Sequence, residues 1–249
     1  MRRFFIDDIL SSQGSFAITG AEAKHIARVL RMRPGERLVL LDKEGRRFQA
    51  VIQEVDRHQV LVVLEKPIPG PALSPVHVTL CQALLKSRSM DLVVEKTSEL
   101  GVDRILPFLA ERTVVKVAHE QGHGKLRHWQ EIARSAAKQS DRAAPAEIRP
   151  LCPFEEMLAL LRGESALKIL LWEQEAKKSL RDLLRSNAPA SRVLAVVGPE
   201  GGFTEREVIE ASEAGFVSVS LGDRILRAET AAVSLVTILQ YEWGDLGLH

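Results

Sequence analysis

Cysteine is scarce in this chain of 249 residues: Cys81 and Cys152 are the only two, far apart and in different apolar contexts. They make no CxxC pair, so a reduced, cytoplasmic protein with buried thiols is expected and no metal centre is. Net charge is nearly absent as well. Lys and Arg number 34 against 33 Asp and Glu, leaving +1 at pH 7. Bulk charge therefore announces no nucleic-acid partner, and any basic surface must be local. No apolar run approaches the length of a membrane span. The start, MRRFFIDDIL, has two arginines, but two aspartates interrupt its apolar run, so no secretory signal is expected. Apolar mass is not lacking: 45% hydrophobic residues suffice for the core of one large domain or two small ones.

Three motifs of familiar outline fail on their details. His119-Glu120-Gln121-Gly122-His123 fits H-E-x-x-H, but zinc chemistry needs both histidines on one helical face and a third ligand. Gly122 and Gly124 weaken a helix there. Gly122-His123-Gly124-Lys125 has the wrong first spacing for a P-loop, and Leu126 replaces the required Ser or Thr. GPEGG at 198–202 is not GxGxxG, and no acidic residue follows at the ribose position of a second strand.

Residues 1–68 read as a small mixed unit. A capping box, Thr19 with Glu22, opens a helix expected to reach about Met32, where Pro34-Gly35 ends it. At about 100° per residue Ile26, Val29 and Leu30 share one face, and Lys24, Arg28 and Arg31 the opposite one. That basic stripe is either an ordinary solvated face or a phosphate-contacting surface. Arg37–Leu41, Phe48–Val55 and Gln59–Leu64 have strand composition. Several short strands and one helix suggest a small barrel. Four prolines within 66–75 mark a stiff linker, placed at 69–75. From 76 to 249 α and β segments alternate, the pattern of a parallel α/β layer structure.

The densest order lies between Val193 and Glu242. A β-branched strand, Val193–Val197, ends in Gly198-Pro199-Glu200-Gly201-Gly202; Thr204 and Glu207 form a capping box, and Gly215 stops the helix. A second strand, Val217–Leu221, leads into Gly222-Asp223-Arg224-Ile225-Leu226-Arg227 and a long apolar helix from about Glu229. Two such strands should lie parallel with a right-handed crossover. Both loops then leave the carboxyl ends of neighbouring strands, where open α/β sheets bind ligands.

GPEGGFTEREV followed by LGDRILRAETA resembles the signature of the SPOUT methyltransferases, specifically the bacterial small-subunit rRNA uracil-N3 methyltransferase family. VEKTSELGVDRILPF and HWQEIARSAAKQSDRAAPAEI upstream resemble that family's pattern too. The resemblance implies a PUA-like RNA-binding module before the linker, and after it a parallel α/β domain with a deep trefoil knot. It implies S-adenosyl-L-methionine as cofactor, held by three loops: Leu171, Trp172 and Glu173; Gly198, Pro199, Glu200, Gly201 and Gly202; and Leu221, Gly222, Ile225 and Leu226, the last two as an apolar wall. The substrate implied is a uridine of 16S rRNA in the small ribosomal subunit.

Uracil N3 carries a proton that must leave as it attacks, so a general base and a donor to the developing oxyanion are needed. Glu229 is the first candidate base, Glu200 the other carboxylate, and Arg227 the donor. Each has a structural alternative, since a Glu in the first helical turn also complements the helix dipole. Lys24, Arg28, Arg31, Lys86, Arg88, Gln139 and Arg142 are candidate RNA contacts. Ribose 2′-O methylation, or a non-catalytic rRNA-binding assembly factor, are the competing readings. The last helix is apolar nearly all round, so a twofold homodimer burying Leu235 and Leu239 is expected.

Overall fold

Two units, each with its own sheet, make up the chain: residues Met1–Ala72 with Lys138–Ala144, and residues Leu73–Ala137 with Pro145–His249. The computed structural model describes residues 1–6, 8, 10, 14–42, 44–70, 73–115, 122–175 and 178–247. His119, Glu120 and Gln121 of the H-E-x-x-H match lie outside the described residues.

The first unit is a five-stranded sheet in the order β1-β3-β4-β5-β2, formed by β1 (Arg2–Phe5), β2 (Gly14–Thr19), β3 (Arg37–Leu41), β4 (Arg47–Val55) and β5 (Gln59–Ile68). β1 runs parallel to β3, and the other neighbours are antiparallel. Period-2 alternation sends Val60, Val62 and Leu64 inward, onto Phe4, Ile18, Ile26, Leu38 and Ile52. Register shifts between β4 and β5 at Gln49/Ala50 and Ile52/Glu54 bend the ribbon around this core.

The first helix departs from expectation. Gly20–Lys24 (α1) is α-helical, but His25–Val29 then closes a π turn, with Leu30 N donating to His25 O at 2.9 Å. The wider turn breaks the 100° phase, so Ile26 is buried while Val29 is 67% exposed. Nor does the capping box form: Thr19 makes no side-chain cap, and Glu22 pairs with Lys138 instead. Residues 138–144 are held in this unit by Asp141, whose carboxylate meets Arg3 Nε at 2.7 Å and Arg47 Nη1 at 2.8 Å.

Asp42, at the end of β3, has a buried carboxylate. Burial works against its charge, but the Arg46 side chain and the amides of Arg46, Leu10 and Glu44 outweigh it and hold its pKa below the usual carboxylate value. A depressed folded pKa stabilises at pH above the unfolded value, and the contribution is lost as pH falls through the folded one. Asp42→Ala should therefore lower the neutral-pH stability of this unit by about 1–3 kcal/mol, from unpaired amide donors, with the difference from the parent shrinking in acid. Thermal melts at neutral pH and near pH 3 check this, and an equal loss at both would count against it.

The second unit is an all-parallel sheet in the order β12-β10-β11-β6-β7-β8, with β9 also on β7. Its strands are β6 (His77–Ala83), β7 (Arg104–Leu109), β8 (Glu147–Ile148), β9 (Cys152–Pro153), β10 (Leu167–Leu171), β11 (Arg192–Val197) and β12 (Val217–Val219). One face is covered by α2 (Ser87–Glu99), α3 (Gly122–Gln139), α5 (Leu180–Ser186) and α7 (Ala228–Glu242), which share one core cluster. The other face takes α4 (Phe154–Leu161) and α6 (Glu205–Glu213), around Phe108, Phe154 and Phe203. Gly122 and Gly124, expected to weaken helix, stand in the first turn of α3.

Strand order carries the fold's unusual step. β12, last in sequence, lies outside β10, and Ser179 bridges Ser220 just past its end. The chain leaving β10 thus passes the end of β12 before α5 leads back to β11. Trp172 N donates to Val219 O at 3.0 Å, Ser220 N to Lys178 O at 3.0 Å and Leu180 N to Ser220 O at 2.9 Å, so this connection stays bonded to the end of β12.

α7 corrects one expectation. Leu235 and Leu239 are fully buried, packed with β6, β11 and α2 inside the same chain. Gln240, a polar interruption of the helix's apolar sequence, is also buried: it accepts from Ser74 Oγ at 2.8 Å and donates to Gly101 O at 3.0 Å. The parallel layer encloses more of this helix than its composition suggested, and the large apolar positions left outward are Ile238 and Tyr241.

Candidate functional site

β12, β10 and β11 are adjacent and parallel, so their carboxyl ends lie side by side. From them emerge the three loops singled out in the sequence: Leu171–Glu173 after β10, Gly198–Gly202 after β11, and Leu221–Leu226 after β12. Gly202 links the first two. Its φ is +68°, and a Cβ there would strike the Glu173 carboxylate. Gly202 N donates to Pro199 O at 3.0 Å, closing the turn.

The other glycines do different work. A Cβ on Gly198 would press on the Phe203 ring at 3.0 Å, and one on Gly201 on Arg112 Cβ at 3.0 Å. These two admit the protein's own groups. Gly222, at φ +106°, has nothing within 4 Å of such a Cβ. Leu221 and Leu226 are half-buried, whereas Ile225, expected as a wall, is 87% exposed. Trp172 Nε1 is buried without a partner among the described residues.

α6 begins right after the glycine turn because its capping box forms: Thr204 Oγ1 accepts from Glu207 N, and Glu207 Oε2 accepts from Thr204 N at 2.9 Å. Glu207 also accepts from Glu111 N at 2.9 Å, while Arg112 Nη1 reaches Gly201 O at 3.3 Å. The turn after β7 therefore braces the glycine loop. Sequence reading passed over Glu111 and Arg112; their place just past a parallel strand's carboxyl end was the available signal.

Of the three chemical candidates, Glu200 is exposed and accepts from Lys86 N at 3.4 Å. Arg227 is the exposed N-cap of α7, and Glu229 stands half-buried in its first turn. Neither side chain has a hydrogen bond or ion pair among the described residues. Lys86 and Arg88, at the start of α2, are exposed and belong to this unit. Lys24, Arg28 and Arg31 are exposed in the first unit, where exposed Gln139 and half-buried Arg142 also belong.

Other chemistries have less support. Burial pushes the Cys81 thiol up and the Cys152 thiol up to about 11, so neither is a thiolate near neutrality. Among the described residues no group of three or more His, Cys, Asp or Glu could hold a metal ion. No helix there is long and apolar enough to cross a membrane. Two shallow surface cavities are lined by residues outside the three loops, one at the amino ends of β6, β7 and β11, the other between Glu111, Glu155 and Arg206.

Residues 72–240 match the RNA methyltransferase domain family, and residues 18–65 match the RNA methyltransferase PUA domain family. The chain belongs to the RNA methyltransferase family. Ribosomal RNA small subunit methyltransferase E of Bacillus subtilis is 30% identical, covering 97% of both chains. That of Mycobacterium bovis is 33% identical, over 96% of this chain and 92% of its own. The crystal structure of ribosomal RNA small subunit methyltransferase E from Neisseria gonorrhoeae, bound to S-adenosyl methionine, superposes with a TM-score of 0.89 at 33% identity, covering 99% of each chain. A putative methyltransferase from Legionella pneumophila, in complex with the same cofactor, gives 0.89 at 32% identity over 98% of each. The chain is thus a SPOUT-type RNA methyltransferase with a PUA-like first domain.

Proposed function

We propose that this methyltransferase transfers a methyl group from S-adenosylmethionine to N3 of a uridine in 16S rRNA of the small ribosomal subunit. The observation that carries the reading is the convergence of three loops at the carboxyl ends of three adjacent parallel strands. Glycine backbone, the half-buried Leu221 and Leu226, and the Trp172 indole, without a partner among the described residues, suit a ligand with apolar, stacking and hydrogen-bonding parts. The cofactor supplies an electrophilic methyl group on a sulfonium sulfur. The chain's own residues supply the rest. Glu229, beside the 221–226 loop and without a side-chain partner among the described residues, takes the N3 proton, and Arg227 donates to the uracil oxygen on which charge develops. Glu200 accepts from the Lys86 amide at 3.4 Å, which favours loop support over proton transfer and leaves it the second carboxylate.

N3 lies on the Watson–Crick edge, so the uridine must be unpaired or turned out of its stack. Lys24, Arg28 and Arg31 contact phosphates in the first unit, and Lys86 and Arg88 do so beside the glycine loop. Reversing the charge of Lys24, Arg28 and Arg31 together should weaken RNA binding and flatten its salt dependence, the log–log slope falling by roughly 0.7–0.9 for each phosphate that is no longer neutralised. Cofactor affinity should not change. Filter binding across a salt series reads this, and an unaltered slope would make the stripe an ordinary solvated face.

The working form is a twofold homodimer in the cytoplasm. Ile238 and Tyr241 on α7 and Leu92 on α2 are exposed apolar side chains on helices that pack together, and with Ile225 they offer a surface for a second copy. The function itself is tested by mass mapping of modified uridines in 16S rRNA from cells lacking this gene, with and without the gene restored. Loss and recovery of one N3-methyluridine supports the assignment; a ribose-methylated residue in its place refutes it.

A further inference from the structure

Gln82 is a polar side chain near the carboxyl end of β6, a strand buried from Val78 onward, and it is fully buried itself. Strand alternation puts it on the face of Leu80 and Leu84, which belong to the core shared with α2 and α7. An apolar residue would serve that core at less cost, since a buried amide must be hydrogen-bonded to be tolerated. Its Oε1 has no partner among the described residues, so burial alone does not account for it.

What the side chain does is set by where the sheet divides. The β11–β6 ladder ends at the pair Val197↔Gln82. Beyond it β6 turns toward β7, with Leu84 N donating to Phe108 O at 2.8 Å, while β11 enters the glycine turn. The carbonyls of Ala83 and Gly198 stand at this split. Gln82 Nε2 donates to both, at 3.0 Å and 3.3 Å. Further along the two diverging paths, Glu200 and Lys86 make a second tie through the Lys86 amide. The two contacts join the start of the glycine loop to the segment that opens α2.

We propose that Gln82 is a positioning residue: its buried carboxamide fixes the Gly198 carbonyl, sets the Pro199–Gly202 turn that follows, and so determines affinity for an adenosyl sulfonium cofactor without touching it. The inference rests on the reading that the glycine loop forms part of the cofactor site. Gln82→Met keeps size and shape but removes both donors. Isothermal calorimetry of the full-length variant with S-adenosylmethionine should give unchanged stoichiometry and a Kd raised on the order of tenfold, equivalent to about 1.4 kcal/mol. A merely structural role would lower the fraction of competent molecules, and hence the stoichiometry, while leaving Kd alone. Gln82→Glu, which keeps the length and can donate at most one such bond, covers the case in which the Met variant does not fold; its Kd should also rise.

A folded variant with stoichiometry and Kd within twofold of the parent overturns the proposal. Gly202→Val, measured alongside, separates the two levels. If it loses the cofactor while the Gln82 variants do not, only the role of Gln82 fails. If all of them bind normally, the placement of the cofactor loop fails with it.

Discussion

A Gly202→Val chain is expected to fold and to bind S-adenosylmethionine at least about a hundredfold more weakly than the parent, a loss of about 2.7 kcal/mol. Two effects add at this position. Its φ of +68° is a left-handed conformation that a β-branched residue adopts only at a cost of roughly 1–2 kcal/mol. A Cβ there also runs into the Glu173 carboxylate, the end of an exposed side chain that must swing aside to admit it. Relief of the φ strain moves the backbone of a loop assigned to the cofactor, the β-branched side chain fills space beside it, and the binding energy is lost with the geometry. Gly222→Ala is the matching control on the third loop. Apart from its chain neighbours, no atom of the described residues lies within 4 Å of the new Cβ, so a loss of binding there points to the ligand, beyond the strain of φ +106°. Calorimetry with the cofactor and a thermal melt of each variant decide the matter. A folded Gly202→Val protein with the parent's affinity would show that the pocket lies elsewhere.

The parallel domain was legible because its signals are local and agree with one another. The apolar β-branched run at 193–197, the Thr204–Glu207 capping box and the positive-φ stops at Gly101 and Gly215 each occur where composition places them, and the strand expected over 217–221 forms over Val217–Val219. The loops followed, since a parallel strand's carboxyl end is fixed once the strand is known. What failed to show depends on pairs distant in sequence. Thr19 and Glu22 spell a capping box, yet Lys138, 116 residues away, takes the Glu22 carboxylate and the helix relaxes into a π turn. β1 and β2 are short, and pair with β3 and β5 over a span that periodicity does not report. Gln82 and Arg112 were in plain view, one a polar residue in an apolar strand and the other just past a strand end. Their meaning came only from the carbonyls of Gly198 and Gly201 across the sheet. The glycines of the 198–202 turn gave the converse lesson: at Gly198 and Gly201 the missing side chain makes room for Phe203 and Arg112.

Charge placed on α7 should have opposite consequences on its two faces. Leu239 is fully buried in the apolar core, against the sheet and α2. Leu239→Arg puts an unpaired guanidinium into that core, a class of change that costs more than about 4 kcal/mol. Against a typical net stability of about 5–15 kcal/mol, such a loss should drop the melting temperature sharply or abolish soluble protein. Leu239 therefore serves the core of its own chain, and a charge there unfolds the subunit rather than releasing it from a folded partner. The proposed dimer surface holds Ile238, 37% exposed, and Tyr241, 69% exposed. An Ile238→Arg, Tyr241→Arg double variant leaves the packed core intact, so a monomer carrying it should melt within a few degrees of the parent's own subunit. If α7 faces a second copy, the double variant should run as a monomer in light scattering where the parent is a dimer. Methyl transfer should fall with it, because Glu229 and Arg227 stand at the start of the same helix. A Leu239→Arg protein with the parent's melting temperature would contradict the burial argument. A double variant that remains a fully active dimer would move the interface off this face of α7.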